Sequence, residues 1–172
     1  MSPEAIFRTH LVFGYVAWLL CFAAYIWPRL RSMDHVEAHR AIATLHSFRF
    51  FGLVFILPGY VGPHLPTGFA SFAAYWDFVT GILAMLALLA VRIRPLFWLS
   101  VVAFNVVGII DLVVDYAQAV SIDLPSIAGE LGAAYVIPVI YVPVLMITHV
   151  TAFYLLFRQL RVARLVAGGA SA

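Results

Sequence analysis

Long apolar runs alternate with short polar breaks along the whole chain. Five runs are long enough to cross a bilayer as helices of ~20 residues. They cover about 6–27, 40–58, 70–91, 95–120 and 131–157. The breaks between them read RLRSMDHVEAHR, PGYVGPHLPTG, VRIRP and SIDLPSIAGE. The second break is rich in Gly and Pro and reads as a turn-built connection. The first run is longer than a signal-peptide core, and its leader carries one acid and one base, so it reads as a retained helix. The pattern predicts an all-α polytopic membrane helix bundle, one transmembrane domain of five transmembrane helices, with a loose Ala/Gly/Ser tail at 165–172.

Small residues recur at helical spacing in two runs. The first carries His10, Gly14, Ala17, Cys21 and Ala24. The third carries Ala70, Ala73, Ala74, Asp77, Thr80, Gly81 and Ala84. Such faces let helices approach closely, within one chain or in a homo-oligomer. Pro138 and Pro143 fall inside the fifth run. Each removes a backbone donor and favours a kink.

Composition changes the solvent. The chain is 65% hydrophobic and 10% charged, where a soluble domain is about half apolar and about a quarter charged. The lipid bilayer is therefore its first partner. All ten basic residues are Arg. Arg29, Arg31, Arg40, Arg92, Arg94, Arg158, Arg161 and Arg164 flank the first break, the third break and the C-terminal tail. Arg8 alone lies at the other end. This bias places the N-terminus outside and the C-terminus in the cytoplasm of a multi-pass inner-membrane protein. The single Cys21 excludes an intrachain disulfide.

The second run holds His46 and Arg49 in its interior. A charge at that depth costs at least a few kcal/mol unless it is paired. Counting ~1.5 Å per residue, Arg49, Asp77 and Asp111 each lie ~10–14 Å below the outer surface. One base and two acids from three helices thus share a layer. Close carboxylates repel, so a proton, a cation or a cationic ligand group completes that layer. A second, lower layer holds His46, Asn105 and His149, with His46 ~9 Å and His149 ~12 Å above the inner helix ends. Asp115 sits nearer the outer end, where water reaches it. His35 and His39 are four apart, a spacing that can bind a transition metal, but no third ligand accompanies them; no metal site is predicted.

His10 and the run Trp27-Pro28-Arg29-Leu30 resemble the first helix of the membrane protoporphyrinogen oxidase family over some twenty residues. The remainder does not follow that family and the chain has no Lys, so no residue role is carried over.

The residues support several functions. The first is transport or permeation of a small molecule, proton-coupled, with Arg49, Asp77, Asp111, His46, Asn105 and His149 as ligand or proton-relay groups. The second is a membrane-embedded enzyme acting on a lipid, isoprenoid or quinone, with the buried acids in acid–base roles. The third is a haem or metal redox protein in which His46 and His149 bracket a b-type haem. The fourth is an accessory subunit whose polar layer only locks the helices. No cofactor is predicted outside the haem reading. The expected ligand is a small molecule, a lipid or an ion. No nucleotide loop, zincin motif, nucleophile elbow or nucleic-acid-binding surface is present.

Overall fold

The computed structural model describes residues 1–169, with side chains as far as Arg161. The structure is 87% helix, with no strand among the described residues. Among them, four helices are long and apolar enough to cross a membrane: Pro3–Ser32, Thr67–Arg92, Arg94–Ser121 and Ile137–Arg161. We label the helices in chain order. α1 is Pro3–Ser32, with a π-helical stretch at Phe22–Ile26. α2 is His35–His46. α3 is Thr67–Leu89 and α4 is Arg94–Ser121. α5 is Val142–Gly169. The segment expected to be loose from 165 is helical as far as Gly169, and 170–172 lie outside the described residues.

The second apolar run departs most from expectation. It is no uninterrupted α-helix. Asp34 caps the start of α2 by accepting from the Val36 and Glu37 N–H groups. After His46 the chain tightens into a 3-10 helix over Ser47–Ile56. Runs of that length are uncommon. A 3-10 helix has three residues per turn, so side chains three apart eclipse. His46, Arg49, Gly52 and Phe55 therefore line up, and all four are buried. Phe48, Phe50 and Phe51 point outward and are exposed.

The last apolar run is also irregular. A 3-10 stretch at Ala128–Tyr135 leads into a π-helical stretch at Ile137–Tyr141. Pro143 has no N–H to offer the carbonyl of Val139. α1 covers this weak point. Gly14 lies so close to the Val139 carbonyl that a Cβ would collide with it. One turn on, Trp18 donates its indole N–H to the Ile140 carbonyl at 2.7 Å. Of the small stripe on α1, Gly14 alone is buried, while Ala17 and Ala24 are exposed.

Two apolar cores stack along the bundle. The first contains Phe7, Phe55, Phe69, Ala73, Leu131 and Ile137, contributed by the start of α1, the end of the 3-10 helix, the start of α3 and the approach to α5. The second contains Leu30, Ile42, Ala84, Ala87, Phe97, Phe104 and Ala152, contributed by the opposite ends. The alternation means that consecutive segments run antiparallel. Arg29, Arg31, Arg92, Arg94 and Arg158 mark the second core's end, called the arginine-rich end below. Asp123 and Glu130 mark the other, acidic end. There the break after the 3-10 helix is stitched to the 128–135 segment. Gly62 donates to the Glu130 carbonyl at 2.7 Å, and Ala133 donates to the Tyr60 carbonyl at 3.0 Å. Gly132 makes this seam possible: its φ is 51°, a left-handed value that suits glycine.

Candidate functional site

Between the two cores lies a polar layer centred on Arg49. Its guanidinium is fully buried. Nε donates to Asp77 Oδ1 at 2.6 Å, and Nη2 donates to Asp111 Oδ2. Nη1 faces the Gly108 carbonyl at 3.4 Å and His149 Nε2 at 3.2 Å. The planar fork of Arg suits this, because its three nitrogens together reach α3, α4 and α5. Three glycines make room. A Cβ on Gly108 would lie 2.5 Å from His149 Nε2 and 2.7 Å from Arg49 Nη1. A Cβ on Gly52 would run into Asp77, and one on Gly81 would lie 3.0 Å from the Phe50 nitrogen.

The expected lower layer is not separate. His149 belongs to both, since its Nε2 faces Arg49 and its Nδ1 lies 2.9 Å from Asn105 Oδ1. The bond directions follow from the donors. Arg49 can only donate, so His149 Nε2 accepts and its proton is on Nδ1. That proton goes to Asn105 Oδ1, and Asn105 Nδ2 donates to the Val101 carbonyl at 2.8 Å. His46 stacks beside His149 with ring centroids 4.0 Å apart. Its Nε2 lies 3.0 Å from the Thr148 hydroxyl, which in turn donates to the Val144 carbonyl at 2.7 Å. His46 therefore donates through Nε2, and its buried Nδ1 has no partner. All six expected residues stand in one connected cluster.

The haem reading does not fit this geometry. Two imidazoles in contact leave no room for a macrocycle between them, and both His149 nitrogens are occupied. Among the described residues no group of three or more His, Cys, Asp or Glu side chains is placed to hold a metal ion. His35 is exposed, whereas His39 is fully buried against Trp98 with neither ring nitrogen bonded. The two histidines therefore stand in different surroundings.

A cavity of about 210 Å³ lies on the acidic side of the cluster. Phe7, Leu11, Phe55, Phe69 and Leu112 supply its apolar walls. Asp77 and Asp115 supply carboxylates. Its rim carries Arg8, Val120 and Asp123, all exposed. Asp77 thus faces the cavity while holding Arg49. Asp115 was not expected as a site residue. The signal was available in its spacing: four residues after Asp111, it projects from the same face of α4. Its Oδ1 is buried without a hydrogen-bond partner. Tyr116 beside it bonds Tyr15 of α1, hydroxyl to hydroxyl at 2.6 Å.

A family model matches residues 6–157, nearly the whole described chain. The chain belongs to that family, described as Domain of unknown function (DUF8737). The match takes in every residue of the polar cluster and most of the cavity lining. No curated protein and no solved structure matches the chain.

Proposed function

We propose that the protein is a multi-pass inner-membrane protein that binds a small molecule from one face and passes it inward, with proton exchange at the buried carboxylates. The observation that carries this reading is the cavity that runs from the acidic end down to Asp77, a carboxylate tied to the buried Arg49. A mostly apolar cavity with a few convergent polar groups is the usual form of a small-molecule site. Intramembrane charges commonly mark solute or proton pathways.

In this reading the chain crosses five times. α2 contributes ~18 Å at ~1.5 Å per residue, and the 3-10 helix ~20 Å at ~2.0 Å per residue. Together they exceed the ~30 Å hydrocarbon core. The arginine bias then puts the N-terminus and the cavity mouth outside and the C-terminus in the cytoplasm. The second, Ala-rich core closes the way inward, so passage needs a second conformation. Two irregular elements flank the cluster and supply the moving parts. The 3-10 helix is of the kind that marks hinges, and the π-helical stretch contains Pro138 and is followed by Pro143. Tyr141 of that stretch donates to the Leu45 carbonyl at 3.1 Å, where α2 tightens.

The test is a solid-supported-membrane recording on the reconstituted chain. Concentration jumps of small organic cations, alcohols and acids are applied with and without a pH gradient. Protein-dependent charge movement with at least one class is expected. Silence with every class under both gradients overturns the reading. The apolar walls favour a second reading, an enzyme acting on a lipid, isoprenoid or quinone. Mass spectrometry of extracts from purified protein would support it by finding one such species in stoichiometric amount.

A further inference from the structure

We propose that the cavity selects a small amphiphilic organic cation, with an amine-type head against Asp115 and an apolar body among Phe7, Phe55, Phe69 and Leu112. The inference rests on the reading that this cavity takes a small molecule, and it names the class.

The argument is one of charge and of free bonding capacity. The deep site holds one guanidinium, Arg49, against three carboxylates, Asp77, Asp111 and Asp115. Arg49 is committed to Asp77, Asp111, His149 and the Gly108 carbonyl. It gives nothing to Asp115. The other basic group on the cavity, Arg8, stands at the rim and is ion-paired with Glu4 at 2.7 Å. Asp123 adds a further acid at the mouth. An entering anion would meet three carboxylates, Asp77, Asp115 and Asp123, and no uncommitted cation. A neutral molecule without a donor would leave Asp115 Oδ1 buried and unpaired, which is unfavourable. A protonated amine supplies both the missing charge and the missing donor. Phe7 and Tyr116 also line the cavity, and aromatic rings attract cations. The walls beyond the carboxylates are apolar, so a simple inorganic cation would leave most of the cavity unfilled.

The experiment is calorimetric titration of the full chain in lipid nanodiscs at pH 7 with three probes of one shape: phenethylammonium, 2-phenylethanol and 3-phenylpropanoate. The ammonium is expected to bind at least about tenfold more tightly than the alcohol, a difference of about 1.4 kcal/mol. The carboxylate is expected not to bind. Asp115→Asn should abolish the preference, and Asp115→Glu should keep it, with both variants checked for an unchanged melting profile. Equal binding of the ammonium and the alcohol, or an unaltered preference in Asp115→Asn, overturns the proposal. Binding of none of the three overturns it as well. Charge movement driven by alcohols or acids in the membrane recordings would leave the transport reading standing and remove the cation assignment alone.

Discussion

The two cores of this bundle differ in what fills them. The core at the arginine-rich end is built from small residues under a few large rings, with Ala43, Ala84, Ala87 and Ala152 fully buried beside Phe97 and Phe104. The core at the acidic end has larger side chains and leaves the cavity among them. Small faces pack helices closely in a bilayer, and that closes the first of these halves. Bulky side chains on kinked or tightened helices hold the other half open. The buried charges sit at the join. Side chains at the join behave differently on its two sides: Asn105 and Thr148 donate to backbone carbonyls and His149 donates to Asn105, while on the open side Asp115 Oδ1 is left unpaired.

The strongest way to break this comparison is at the join. Arg49→Leu leaves Asp77 and Asp111 without their partner. Removing one member of a buried pair costs about 3–5 kcal/mol, which thermal unfolding in detergent would detect. The triple replacement Arg49→Leu, Asp77→Leu, Asp111→Leu removes the imbalance and is expected to recover most of that stability. If the cluster were only a helix lock, the triple variant would also keep ligand-driven charge movement; the transport reading predicts that it does not.

Gly108→Ala comes next. Its methyl would press on His149 and Arg49 at once, and overpacking of this kind costs about 1–3 kcal/mol. Unfolding should show that loss, and the preference for the ammonium probe should weaken because Arg49 shifts against Asp77.

The smallest effect is expected on the exposed side of α1. Ala24→Leu should change stability by less than about 0.5 kcal/mol, whereas Gly14→Leu, against the Val139 carbonyl, should unseat the helix.

Much of this was legible in the sequence, for identifiable reasons. Helix rise is nearly constant, so a depth count could place Arg49, Asp77 and Asp111 at one height from three separate helices. Four of the five apolar runs contain long helices, the last of them in spite of Pro138 and Pro143. The second run was misread because a period of 3.6 was applied to a segment that folds with a period of three. At 100° per residue, Gly52 and Phe55 drift away from His46 and Arg49; in the 3-10 helix they align. The split of the polar cluster into two layers came instead from counting depth along each helix. A Cα height also takes no account of side-chain reach, and the long guanidinium of Arg49 spans to His149. Asp115 was assigned to water because it lies near a helix end. Only the tertiary fold shows that it lines a cavity together with Phe7, Leu112 and Tyr116.

The contrast between the halves can be measured directly by small-thiol accessibility in native membranes. Cys21 is the one cysteine, so Cys21→Ser provides a background without thiols. Ala73→Cys places a thiol in the cavity wall one turn from Asp77, and Ala84→Cys places one in the closed core. Methanethiosulfonate ethylammonium should modify the first from the acidic side and leave the second untouched. Equal reaction at both positions, or reaction at neither, would contradict a cavity that enters from one face and ends at the buried charge cluster.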